Sequence, residues 1–180
     1  YPPAGAMIDF YLKNAPEQPI TLDIRTDGDI VRRYVGVTEQ MKKSDAEMPE
    51  RAMKAPGPIE PSTIDTFTVQ AGHNRFTWDL EHPEATPKTK GEGTYFDVYG
   101  GPMALPGTYE VRLSAGDWSA TQPLTVKMDP RVRKAGVTKQ NLKEQLALNR
   151  KILDAIGAAR ATVYAIDSVR TRLKQRSQET

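Results

Sequence analysis

Asn74-Arg-Phe-Thr-Trp-Asp-Leu80, read with Pro106-Gly-Thr-Tyr-Glu-Val-Arg-Leu113, decides the fold of this chain. The first stretch alternates polar residues with Phe76, Trp78 and Leu80. The second does the same with Tyr109, Val111 and Leu113. A side-chain period of two marks a strand with one buried face. Two such strands, each carrying a large aromatic, predict an antiparallel β-sandwich. Its core would hold Phe76, Trp78, Leu80, Tyr109 and Val111.

Upstream, Ala6-Met-Ile-Asp-Phe-Tyr-Leu12 reads as a first strand with Ile8, Phe10 and Leu12 inward. Pro16 and Pro19 lie in the turn that follows. Ile20 to Thr26 alternates again, with Ile20, Leu22 and Ile24 facing the core. Asp27-Gly28 is a hairpin signal, because the tight turn needs positive φ. Ile30 to Val35 forms the return strand. Residues 36–61 then break the pattern with three methionines and four prolines. They read as a surface excursion, with a short helix around Ser44 to Met53 and an adaptable methionine face as further options.

Ile64 to Val69 is another strand, and Gly72-His73-Asn74 turns into the strand Arg75 to Leu80. Residues 81–105 form a second long insertion, rich in Gly and Pro, that carries Tyr95, Phe96 and Tyr99. These rings and Trp118 suit sugar stacking; they equally suit plugging a loop onto its own sheet. Gly116-Asp117 turns Gly107–Leu113 into a last strand, Trp118 to Val126. Pro130 closes the β region, which spans residues 6–130. Residues 1–5 read as a linker and 131–180 as a helical tail.

In that tail Thr138 suits a helix N-cap. Leu142, Leu146, Leu153, Ile156, Val163, Ile166, Val169 and Leu173 recur at helical steps through Arg176. A continuous helix there is ~50 Å long, longer than a sandwich face. Its stripe requires a partner, whether another helix, a neighbouring domain or a second copy of the chain. The alternative is a break at Gly157 and a helical hairpin.

Composition narrows the chemistry. The chain has no cysteine, which removes disulfides, thiolate metal sites and cysteine nucleophiles. A net charge of +2 gives no electrostatic bias toward nucleic acid, and the basic tail lacks interleaved aromatics. No run reaches the ~20 apolar residues of a membrane span, and no signal-peptide pattern is present. Nucleophile-elbow, phosphate-loop and zinc-helix motifs are missing, so no catalytic residue, metal or cofactor is expected. His73 and His82 are nine residues apart on an extended stretch, too far to share a metal, and read as turn residues. Asp79 and Glu81 are a candidate carboxylate pair. Asp23, Asp27 and Asp29 read as turn aspartates, with weak calcium binding as the alternative.

Gly5-Ala-Met-Ile-Asp-Phe-Tyr-Leu12, Asp27-Gly28-Asp-Ile-Val-Arg32, Gly72-x-Asn74-Arg-Phe-x-Trp78-Asp79-Leu80, Pro106 to Leu113 and Asp129-Pro-Arg131 carry a resemblance. Together they resemble the C-terminal region of bacterial propeller proteins with sortilin-like or neuraminidase-type repeats, often labelled glycosyl hydrolases. The Trp-Asp and Gly-Thr-Tyr stretches are also similar to the immunoglobulin-like domain of flagellar hook-capping proteins. The resemblance implies an immunoglobulin-like or fibronectin-like module that trails a β-propeller in a secreted or periplasmic protein, with any catalytic site in the propeller. The expected function is a non-catalytic accessory domain that docks the propeller or pairs two copies through its helix. The alternatives are a carbohydrate-binding module using Tyr95, Phe96, Tyr99 and Trp118, and a glycoside hydrolase segment using Asp79 and Glu81.

Overall fold

The computed structural model describes residues 5–43, 65–84 and 100–178. The linker residues before Gly5, the helix expected around Ser44 to Met53, the Ile64 start of the fourth strand, and Tyr95, Phe96 and Tyr99 lie outside them. Within the described residues the fold is mainly β, with two sheets and a long C-terminal helix. The elements run β1 (Ala6–Leu12), β2 (Ile20–Thr26), β3 (Asp29–Val37), α1 (Glu39–Lys43), β4 (Asp65–Thr68), β5 (Gly72–Trp78), β6 (Gly107–Ala115), β7 (Trp118–Val126), α2 (Pro130–Lys134) and α3 (Lys139–Gln178). One sheet pairs β1 with β5; the other has the order β4-β3-β2-β6-β7.

Local turn chemistry explains the two hairpins. Asp27 and Gly28 have φ of 51° and 88°, the left-handed pair of a type I′ turn, which matches strand twist. It brings Thr26 opposite Asp29. Gly116, at φ 57°, does the equivalent work between β6 and β7. Pro123 is tolerated in β7 because that strand lies at a sheet edge.

The remaining pairings are non-local. β1 and β5 run antiparallel, with Ile8 opposite Phe76. Gly72, His73 and Asn74 therefore belong to the strand, not to a turn before it. β4 runs parallel to β3, so the larger sheet is mixed rather than purely antiparallel; residues 38–64 supply the crossover that a parallel pair needs. β3 continues through Gly36 and Val37, past the expected start of the insertion. Gly36 is required there, since a Cβ would sit 2.7 Å from the Ile20 side chain and 2.8 Å from that of Val69.

The two sheets share one core. Trp78 of β5 is 0% exposed and meets Tyr109 of β6 edge-on at 5.3 Å. Phe76 packs on Tyr34 at 4.5 Å and on Phe67 at 4.9 Å. Leu22, Ile24 and Val111 complete this cluster, with Ile8, Phe10, Phe76 and Leu80 partly buried against it. Leu80 is not a strand residue: β5 ends at Trp78, and Leu80 takes φ 65°, a conformation that costs a non-glycine residue about 1 kcal/mol.

Asp23 is not a turn aspartate. It lies opposite Arg33 across β2 and β3. The guanidinium donates to both carboxylate oxygens, Nε to Oδ1 at 2.6 Å and Nη2 to Oδ2 at 2.7 Å, and both residues are buried. Removing one partner strands the other charge. Asp23→Ala should therefore lower unfolding free energy by ~3–5 kcal/mol in urea titrations; a loss under ~1 kcal/mol would show that the pair is solvated.

Candidate functional site

The long helix and the loop after β5 make the candidate site. Asp129 caps α2: its carboxylate accepts from the Arg131 N–H at 2.7 Å, with Pro130 in the first turn. Pro130 thus starts a helix where it was expected only to end a strand. Gly136, at φ 84°, ends α2 and turns the chain toward the next cap. Thr138 then caps α3 as expected. Its Oγ1 accepts from the Asn141 N–H at 3.2 Å, while Asn141 Oδ1 accepts from the Thr138 N–H at 3.0 Å, a reciprocal capping arrangement.

From that cap α3 runs unbroken for 40 residues, or ~60 Å at 1.5 Å per residue. Gly157 lies within the helix and does not start a hairpin. The glycine itself is buried. The apolar periodicity is two stripes rather than one. Leu142, Leu146, Leu153 and Ile156 lie on a face that is buried or half-buried, continued by Arg160 and Tyr164. Leu146, at its centre, is 9% exposed. Leu148, Ile152, Val163, Ile166, Val169 and Leu173 are all exposed, Ile166 to 61%. At 100° per residue the two stripes lie roughly 120° apart around the helix.

The sheets receive the inner stripe through the loop that follows β5. Two backbone hydrogen bonds zip the ends of the 81–105 connection, the His82 N–H to the Pro102 carbonyl at 2.9 Å and the Ala104 N–H to the Leu80 carbonyl at 2.7 Å, and together they form an antiparallel bridge between Glu81 and Met103. Gly101 is obligatory here, because a Cβ would fall 1.6 Å from the His82 carbonyl oxygen. Trp78 Nε1 donates to the Glu81 carbonyl at 3.2 Å. Arg32, from β3, donates Nη1 to the His82 carbonyl at 2.9 Å and Nη2 to Asp65 at 2.5 Å. This ties sheet, loop and β4 together.

His82 is therefore no exposed turn residue. It is 6% exposed, and Arg150 of α3 places Nη2 3.3 Å from its Nδ1. An arginine can only donate, so this geometry holds the ring neutral with Nδ1 accepting. Burial, then the charges of Arg150 and Arg32, push the His82 pKa down to about 4. Grooves of about 830 Å³ and 840 Å³ flank the contact. The first lies between α3 and the Asp27-Gly28 hairpin, lined by Asp29, Ile30, Leu153 and Asp154. The second lies toward Val126, Asp129 and Leu142.

The other sequence candidates fall elsewhere. Asp79 Oδ1 accepts from the Glu81 N–H at 3.0 Å, and Glu81 Oε2 accepts from the Gly101 N–H at 3.0 Å. Both carboxylates thus brace the loop. His73 sits in β5 with Nε2 3.4 Å from Asp9. Trp118 opens β7 at 55% exposure, on the far side of the hairpin from the described part of the 81–105 connection. Among the described residues no three His, Asp or Glu side chains converge as a metal site, and no helix is long and apolar enough to cross a membrane. Arg32, His82 and Arg150 carried no sequence motif; the Arg32-Arg33 pair between Val31 and Tyr34 was the one available signal.

No protein-family model, curated protein or solved structure matches this chain.

The histidine makes a pH test possible. Its folded pKa lies below its unfolded value of about 6.5, so its contribution is complete above pH 6.5 and is lost as pH falls toward 4. The full loss amounts to ~3 kcal/mol. Stability measured by denaturant titration should fall between pH 6.5 and 5, and His82→Gln should flatten that slope. An unchanged slope in the variant would contradict a buried neutral ring.

Proposed function

We propose that this chain is a non-catalytic accessory domain whose long helix docks a partner. In this reading the two sheets are an immunoglobulin-like sandwich at the C-terminal end of a larger secreted or periplasmic bacterial propeller protein. The sheets hold the helix, and the helix presents the binding surface.

One observation carries the proposal. The outer stripe of α3, from Leu148 to Leu173, is apolar and exposed along its whole length, although the same helix already has an inner stripe packed on the fold. Large exposed apolar patches mark interaction surfaces, and a helix with two apolar stripes has one to offer a partner. The immunoglobulin-like reading is supported by Tyr109. It lies near the start of β6, and its hydroxyl donates to the Leu105 carbonyl at 2.7 Å, as the tyrosine corner of such sandwiches does. A second reading, carbohydrate binding at the sheet edge, is favoured by the open ring of Trp118.

The double variant Ile152→Ser/Ile166→Ser separates docking from self-packing. It should leave the unfolding free energy from urea titration within ~0.5 kcal/mol of wild type while removing binding of a hydrophobic dye. A loss above ~2 kcal/mol would assign the stripe to the domain's own core. Glycan-array binding abolished by Trp118→Ala would move the function to the sheet edge.

A further inference from the structure

We infer that the outer stripe of α3 is one half of a heteromeric coiled coil and that its partner is an acidic amphipathic helix. The inference rests on the docking reading above and names the partner's chemistry.

A heptad runs along this exposed face, with Val163 beside it at the position after Thr162. Leu148, Ile152, Ala155, Ala159, Thr162, Ile166, Val169 and Leu173 are spaced four, three, four, three, four, three and four residues apart. That alternation is the seam of a coiled coil, narrower than the face by which a helix joins a globular core. Every one of these positions is exposed. The seam's middle is small, at Ala155, Ala159 and Thr162, which admits a close or bulky neighbour. Thr162 is the polar member, and its Oγ1 already donates to the Ala158 carbonyl at 2.9 Å. Burying it therefore strands no donor.

Charge selects the occupant. In such a seam the flanking positions set partner choice. Here the charged residues at those positions are Lys151, Arg170 and Arg172, all basic. The whole helix carries nine basic and three acidic residues. A second copy is disfavoured: paired antiparallel about Arg160, it would bring Lys151 beside Arg172, and paired parallel it would stack the basic C-terminal turns on one another. A membrane surface is a poorer match. Interfacial helices anchor with tryptophan, phenylalanine and leucine on a broad apolar face, whereas this stripe has a small-residue centre and no aromatic. Glutamates beside an apolar heptad complement it on both counts.

The probe is a labelled four-heptad peptide with leucine and isoleucine at the seam and glutamate at the flanking positions. A matched peptide carries lysine at those positions. Fluorescence anisotropy with the intact chain should show at least ~10-fold tighter binding of the glutamate peptide, weakening as salt rises. Ile166→Asp should abolish binding. Arg170→Glu/Arg172→Glu should reverse the preference toward the lysine peptide. Circular dichroism should show unchanged helix in both variants, since neither site touches the sheets.

Equal affinity for the two peptides, or binding of neither, overturns the inference. So does concentration-dependent dimerisation by light scattering, or capture by phosphatidylserine vesicles without peptide binding. In those last two cases docking through the helix survives and only the acidic partner fails. A monomer that binds neither peptides nor vesicles, with the stripe shown to stabilise its own fold, removes the docking reading as well.

Discussion

The burial of Trp78 is the constraint on which the rest depends. Its indole is enclosed between the two sheets, edge-on to Tyr109, and its N–H must find an acceptor in that dry setting. The Glu81 carbonyl supplies one, which pulls the chain back toward the core just after β5 ends. Leu80 takes its strained backbone at this reversal, the core contacts it gains offsetting the strain. His82, two residues on, is thereby held against Arg32 on one side and presented to α3 on the other. A single buried ring thus joins the sheets to the loop, and the loop to the helix.

Consequences run outward from this point. Arg32 satisfies the His82 carbonyl and the Asp65 carboxylate together, so the position of β4 and the position of the helix are coupled through one guanidinium. The inner face of the helix, from Leu142 to Tyr164, is buried or half-buried, with Leu146 its most buried large side chain and a groove on either flank of that contact. Such an attachment orients a long helix without covering it. The outer stripe is left to the solvent, with the basic Lys151, Arg170 and Arg172 beside it.

Features governed by local chemistry were legible in the sequence. Asp27-Gly28 and Gly116-Asp117 announce their hairpins because positive φ is a property of the turn residues themselves. The inward set Ile20, Leu22 and Ile24, the aromatics Trp78 and Tyr109, and the Thr138 cap follow from period and capping. What failed was non-local. Nothing in a strand states its neighbour, so the β1–β5 pair and the parallel β3–β4 pair were hidden, as was the place of Gly72 to Asn74 within a strand. Asp23 read as a turn aspartate because alternation shows which face a residue takes and not whether that face is covered. The helix was read as one stripe because residues from two faces, Leu146 and Ile166 for example, both fit three- and four-residue steps. His82 gave no sign of burial, since its partner Arg150 lies 68 positions away.

The central claim is that α3 has one anchored face and one open face. A chain without cysteine allows that to be read directly, through thiol-modification rates of single substitutions at Leu146→Cys, Ile152→Cys and Ile166→Cys. The thiols at 152 and 166 should react in the native protein nearly as fast as in urea, while the thiol at 146 should be strongly protected. Protection at all three positions would contradict it, because the outer stripe would then already be covered by the protein itself.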